Sequence, residues 1–110
     1  VKFRQRLAAA LCWLPIAAGA AEHHVVIDGM KFSPQVVQVK AGDTIVWENH
    51  DMFVHNVTAA AARVSSGDLA PGKSWRWVVP AGTSFDYLCT LHPVMKGRVD
   101  VTGPPRRAAH

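Results

Sequence analysis

Of the 110 residues, 12 are Lys or Arg and 8 are Asp or Glu, a formal net charge of +4, and 49% are hydrophobic. That size allows a single domain. Lys2, Arg4 and Arg6 are three of the basic residues, so the rest of the chain carries nine basic against eight acidic side chains, which argues against the strongly basic surface of a nucleic-acid binder.

Residues 1–20 read as an export signal. Lys2, Arg4 and Arg6 form a basic start, Leu7 to Gly19 form a mostly apolar run, and Ala18-Gly19-Ala20 offers the small residues that a signal peptidase accepts. The apolar run is shorter than the roughly 20 residues that span a bilayer, so stable membrane insertion is not expected. Leu11 before Cys12 also argues against a lipid anchor. The expected organisation is a cleaved leader over 1–20, one domain over 21–102, and a Pro- and Arg-rich tail over 103–110. Cys12 leaves with the leader, and Cys89 is then the one thiol of an exported, periplasmic protein. Such a thiol is buried, reactive or metal-bound.

From position 21 onward the chain predicts short strands between turn residues, the pattern of a small antiparallel all-β sandwich or barrel. His24 to Ile27 starts it, with Val25 and Ile27 on one face. Gly29 to Pro34 reads as a turn with Phe32 as a core plug. Val36 to Val39 alternates, and Thr44 to Glu48 follows the Ala41-Gly42-Asp43 turn. Asn49-His50-Asp51 is a polar break, with His50 an exposed turn residue. Met52 to Thr58 is extended and holds His55. Residues 60–68 read as a surface excursion, and Pro71-Gly72 as a turn. Trp75 to Val79 places Trp75, Trp77 and Val79 inward, and Ser84 to Cys89 gives Phe85, Tyr87 and Cys89 one parity, which aims the thiol into the interior. Gly97 to Val101 is the expected closing strand. Phe32, Trp47, Trp75 and Trp77 are read as core.

Between the last two strands lies Cys89-Thr90-Leu91-His92-Pro93-Val94-Met95. A thiolate, an imidazole and a thioether at intervals of three suit a soft metal, and copper in particular, which cycles between two oxidation states. Singly, Cys89 or Met95 is as readily a core residue. A second imidazole has to come from another strand, and His55, followed by Asn56, is the best placed. The leader boundary would leave a histidine third in the mature chain, so His23 or His24 is a candidate for a separate Cu(II) or Ni(II) site.

These residues, with KFSP before an alternating strand, AGDTIVWEN, the His55-Asn56 pair and the Pro-Gly turn, resemble the cupredoxins, the small type I blue copper proteins. The short Cys-His and His-Met spacings are most similar to the amicyanin branch. The resemblance implies a Greek-key cupredoxin sandwich holding one type I copper ion, with His55, Cys89 and His92 as equatorial ligands and Met95 as the axial one. It also implies that Asn56 ties the His55 segment to the ligand loop and that Pro93 stiffens it. Electrons would pass through His92 and an apolar patch of Pro93, Val94, Met52 and Phe53. The implied role is a monomeric one-electron carrier, not an enzyme, whose partner is a c-type cytochrome, an amine dehydrogenase or another periplasmic oxidoreductase. Copper delivery or resistance is the alternative function.

Overall fold

The computed structural model describes residues 19–102, so the expected leader up to residue 18, with Cys12, and the tail over 103–110 lie outside the described residues. Alternation of apolar and polar side chains produces nine short strands among them: β1 (Glu22–Asp28), β2 (Lys31–Ser33), β3 (Val36–Val39), β4 (Thr44–Asn49), β5 (Thr58–Ala59), β6 (Val64–Ser65), β7 (Ser74–Val78), β8 (Phe85–Cys89) and β9 (His92–Val101). They form two sheets, in the orders β2-β1-β4-β7 and β3-β9-β8-β5-β6. Among the described residues no helix is long and apolar enough to cross a membrane.

The sandwich is the expected one, with four differences of detail. Two pairings, β1 with β4 and β3 with β9, are parallel rather than antiparallel. The cause is a crossover: the chain leaves the first sheet after β2, runs through β3 in the second, and returns as β4 beside β1. A connection of that kind lets two neighbours run the same way. The segment read as a turn around Phe32 contains the three-residue strand β2, paired with β1. The surface excursion over 60–68 holds a 3-10 turn at Ala60–Ala62 and the short strand β6, which pairs back onto β5 just before it. The closing strand starts at His92, five residues earlier than the periodicity indicated.

Trp47 is fully buried at the centre of the core. It stacks on Trp75 at 5.4 Å between ring centroids, and its Nε1–H donates to the Tyr87 hydroxyl of the facing sheet at 3.1 Å. An indole of this size removes on the order of 200 Å² from water, worth about 5 kcal/mol, and the hydrogen bond keeps its polar edge satisfied. Burial raises the Tyr87 phenol to about 12, so it stays a neutral partner. Trp75 and Trp77, on edge strand β7, are half-buried against this centre, with Trp77 meeting Phe85 edge-on at 5.6 Å. Phe32 is buried and meets Tyr87 edge-on at 4.8 Å.

Two polar devices hold the ends of the sandwich. At the start of β1, Asp43 accepts hydrogen bonds from the Ala21 and Lys40 amides and pairs with the His23 ring, each at 2.9 Å. The Ala21 amide first, then His23 and the Lys40 amide, lower its carboxyl to about 2. His23 therefore belongs to the β1 ladder and to Asp43, while the rings of His24 and His50 both meet the Glu48 carboxylate. A metal set built on the Glu22 and His23 amides would compete with the pairing of β1 to β4. At the other end, Gly29 and Met30 turn β1 into β2 with φ of 59° and 62°. Glycine adopts that left-handed backbone freely, whereas a residue with a Cβ loses roughly 1 kcal/mol or more there.

Candidate metal centre

Cys89 is the last residue of β8, fully buried. Thr90 and Leu91 make the whole connection to β9, so His92 stands directly opposite Cys89 in the ladder. The next pair is Leu88 with Lys96, which leaves Pro93, Val94 and Met95 unmatched. Pro93 has no N–H to offer a ladder, and a bulge of this kind re-aims side chains at the rim of a sheet. Met95 turns inward and is 2% exposed, while Val94 beside it is 86% exposed.

His55 comes from the other side of the site. Its backbone forms an isolated bridge with Leu69, donating to the Leu69 carbonyl at 3.2 Å and accepting from the Leu69 amide at 2.7 Å. The side chain is fully buried. Its Nε2 lies 2.9 Å from Asp51 Oδ2, and its Nδ1 lies 3.8 Å from Cys89 Sγ. A carboxylate only accepts, so Nε2 carries the proton and Nδ1 presents its lone pair toward the thiol. The hydrogen bond from His55 is the main reason that the Asp51 carboxyl is held below its usual range, followed by the Met30 and Met52 amides. Asp51, read from sequence as part of a polar break, thus orients a buried imidazole.

Asn56 links the two segments. Its backbone N–H points at Cys89 Sγ at 3.4 Å. Its side-chain oxygen accepts from the Thr90 amide at 3.0 Å and the Thr58 hydroxyl at 2.8 Å. Its side-chain nitrogen donates to Thr90 Oγ1 at 2.8 Å and to Asp68 at 3.2 Å.

His92 is half-buried, with its ring 5.1 Å from that of His55 and 6.4 Å from that of Phe53. Phe53 beside it, Met52 and Val54 on either side of Phe53, and Leu91, Pro93 and Val94 on either side of His92 in the chain are all apolar and exposed. Val54 and Leu91 are exposed apolar residues that the sequence did not single out. Counting only imidazole, thiol and carboxylate donors, no group of three is arranged for a metal among the described residues. The convergent set is His55, Cys89, Met95 and Met30, with His92 packed beside it. It needs its thioethers, and a donor set of imidazole, thiolate and thioether fits copper better than it fits zinc or a hard cation. Met30 was missed from sequence because it stands in a turn, with no spacing relation to the loop.

Residues 20–102 match the copper-binding proteins of the plastocyanin/azurin family. Amicyanin-alpha of Methylorubrum extorquens is 33% identical over 113 residues, covering 90% of this chain and 95% of that protein. Amicyanin of Paracoccus denitrificans is 32% identical over 92 residues, 77% of this chain and 70% of that one. The solved structure of an amicyanin variant in its Cu(I) form has a TM-score of 0.69 at 29% identity, covering 79% of this chain and 86% of that chain. The family match spans the described sandwich and its Cys89-to-Met95 segment, and the chain belongs to the plastocyanin/azurin family of copper-binding proteins, a type I copper protein of the amicyanin and plastocyanin kind with the cupredoxin fold.

Proposed function

We propose that the chain is a periplasmic one-electron carrier whose copper is held by His55, Cys89 and His92, with Met95 as a weaker axial donor. The observation that carries this reading is the fully buried meeting of His55 Nδ1 with Cys89 Sγ at 3.8 Å. Copper bound there would supply a one-electron couple between Cu(I) and Cu(II). The residues supply the rest. Asp51 keeps the His55 ring from turning, and the Asn56 amide aimed at Cys89 Sγ draws electron density from the thiolate. Four protein donors leave no position for a substrate, and the curated relatives are amicyanins and plastocyanins rather than enzymes. Export is supported by the signal-like residues 1–20.

His92 is the exit for the electron, since it is the one imidazole of the set that reaches the surface. The apolar ring of Met52, Phe53, Leu91, Pro93 and Val94 around it suits a small, short-lived contact with a redox protein, a c-type cytochrome or an amine dehydrogenase among them. Burial of Cys89 and His55 favours this role over delivery of copper, which needs an exchangeable ion. Val94→Lys is expected to slow electron exchange with a partner roughly tenfold by forcing an ammonium into an apolar contact, and to leave the visible spectrum unchanged. Stopped-flow oxidation of the reduced protein measures it; equal rates for both proteins would remove the patch from the path.

A further inference from the structure

We propose that removal of the leader completes the fold: the α-ammonium freed at Ala21 closes an ion pair with the buried carboxylate of Asp43. This rests on the export reading above. Asp43 is 6% exposed and immediately precedes β4, where its carbonyl accepts the Val79 amide at 2.8 Å. Its Oδ2 meets the Lys40 amide and the His23 ring, and its Oδ1 meets the Ala21 nitrogen, each at 2.9 Å. A buried carboxylate is as a rule paired with a cation. Among the described residues the one ionisable side chain on Asp43 is His23, which is charged only when protonated.

Ala21 is where the fold takes hold of the chain. Gly19, Ala20 and Ala21 are exposed and precede β1, yet the Ala21 nitrogen reaches Asp43 and the Ala21 carbonyl accepts the Thr44 amide at 2.9 Å. The sequence alone allows a cut on either side of Ala21, since small residues stand one and three places before each bond. A cut after Ala21 discards both contacts. A cut before it keeps both and changes the nature of one. Hydrolysis of the Ala20–Ala21 bond by a signal peptidase puts the water oxygen on the Ala20 carbonyl carbon as a carboxylate, and both water hydrogens end on the Ala21 nitrogen. The amide donor on Oδ1 becomes an ammonium, positively charged at neutral pH. With its nitrogen and the His23 ring both on Asp43, the new terminus is not free to wrap a Cu(II) or Ni(II) ion.

To test this, the 110-residue chain is expressed in an exporting bacterial host and the exported protein is sequenced from its amino end, with Ala21 expected first. Two forms beginning at Ala21 are then compared by thermal unfolding, one with a free amine and one Nα-acetylated, which keeps the N–H and removes the charge. The free-amine form is expected to melt roughly 5–10 °C higher, the gain from adding a full charge to that contact, and Asp43→Asn should shrink the gap to under about 2 °C. Equal melting of the free and acetylated forms, a comparison that involves no substitution, would overturn the proposal. A gap that survives in Asp43→Asn would place the charge on another partner and overturn it as well. An exported protein that starts at any other residue would overturn the proposal and leave export standing, whereas a chain kept uncut inside the cell would overturn both. None of these readouts involves copper.

Discussion

Asn56→Ala is expected to lower the melting temperature by roughly 10–20 °C and to speed the loss of copper to a chelator. The side chain is buried and makes four hydrogen bonds: two from its nitrogen, to Thr90 Oγ1 and Asp68, and two to its oxygen, from the Thr90 amide and the Thr58 hydroxyl. Alanine removes all four from a buried position, and at about 0.5–1.5 kcal/mol for each hydrogen bond the loss is about 2–4 kcal/mol. A domain of this size loses 4–8 °C per kcal/mol. Thr90 follows Cys89 directly, and the Asn56 backbone faces Cys89 Sγ, so the same change loosens the loop from the segment that carries His55. Thermal unfolding of the metal-free protein reads the first effect and chelator competition the second. Asn56→Ala protein that melts within 3 °C of the parent would show that the hub contributes little.

Gly97→Ala is expected to destabilise by about 3 kcal/mol or more, the upper end of overpacking changes. Gly97 faces Tyr87 across the β8–β9 ladder, and a Cβ at position 97 would fall on the Tyr87 ring. That ring cannot step aside. Trp47 Nε1 holds its hydroxyl at 3.1 Å, Trp47 meets it edge-on at 5.6 Å, and Phe32 closes the other side. Because Tyr87 precedes Cys89 by two positions on the same face of β8, pressure on the ring passes to the strand that holds the thiol. A double-mutant cycle isolates the contact: Tyr87→Val should absorb most of the Gly97→Ala penalty when the two are combined. Additive losses would mean that the clash is relieved elsewhere.

The features that could be read from sequence were those with a period or a spacing. Alternation aimed Val25, Ile27, Phe85, Tyr87 and Cys89 into one interior, and Cys89, His92 and Met95 declared themselves by their even intervals. Phe32 stood out as the one aromatic in a turn-rich stretch. What sequence could not carry depends on who meets whom across the sandwich. The parallel pairing of β1 with β4 follows from a crossover between sheets, which leaves no local pattern. The early start of β9 follows from the two-residue connection at Thr90-Leu91, which puts the loop histidine back in register. Asp51 and Met30 lie outside any repeating pattern, and one carboxylate oxygen joins them to His55 only in three dimensions. Asn49 is similar: read as part of a polar break, it is fully buried and donates to the Phe53 and Leu69 carbonyls, which shapes the loop leading to His55.

A type I copper site here requires the imidazole of His55 and the thiol of Cys89 to share one metal ion. Adding Cu(II) to the purified protein and recording visible absorption tests this most directly. The expected result is an intense thiolate-to-copper band that saturates at one ion per chain, bleaches reversibly on reduction and is lost or strongly altered in His55→Ala. A pale spectrum in the parent, or the same intense band in the His55→Ala protein, would contradict it.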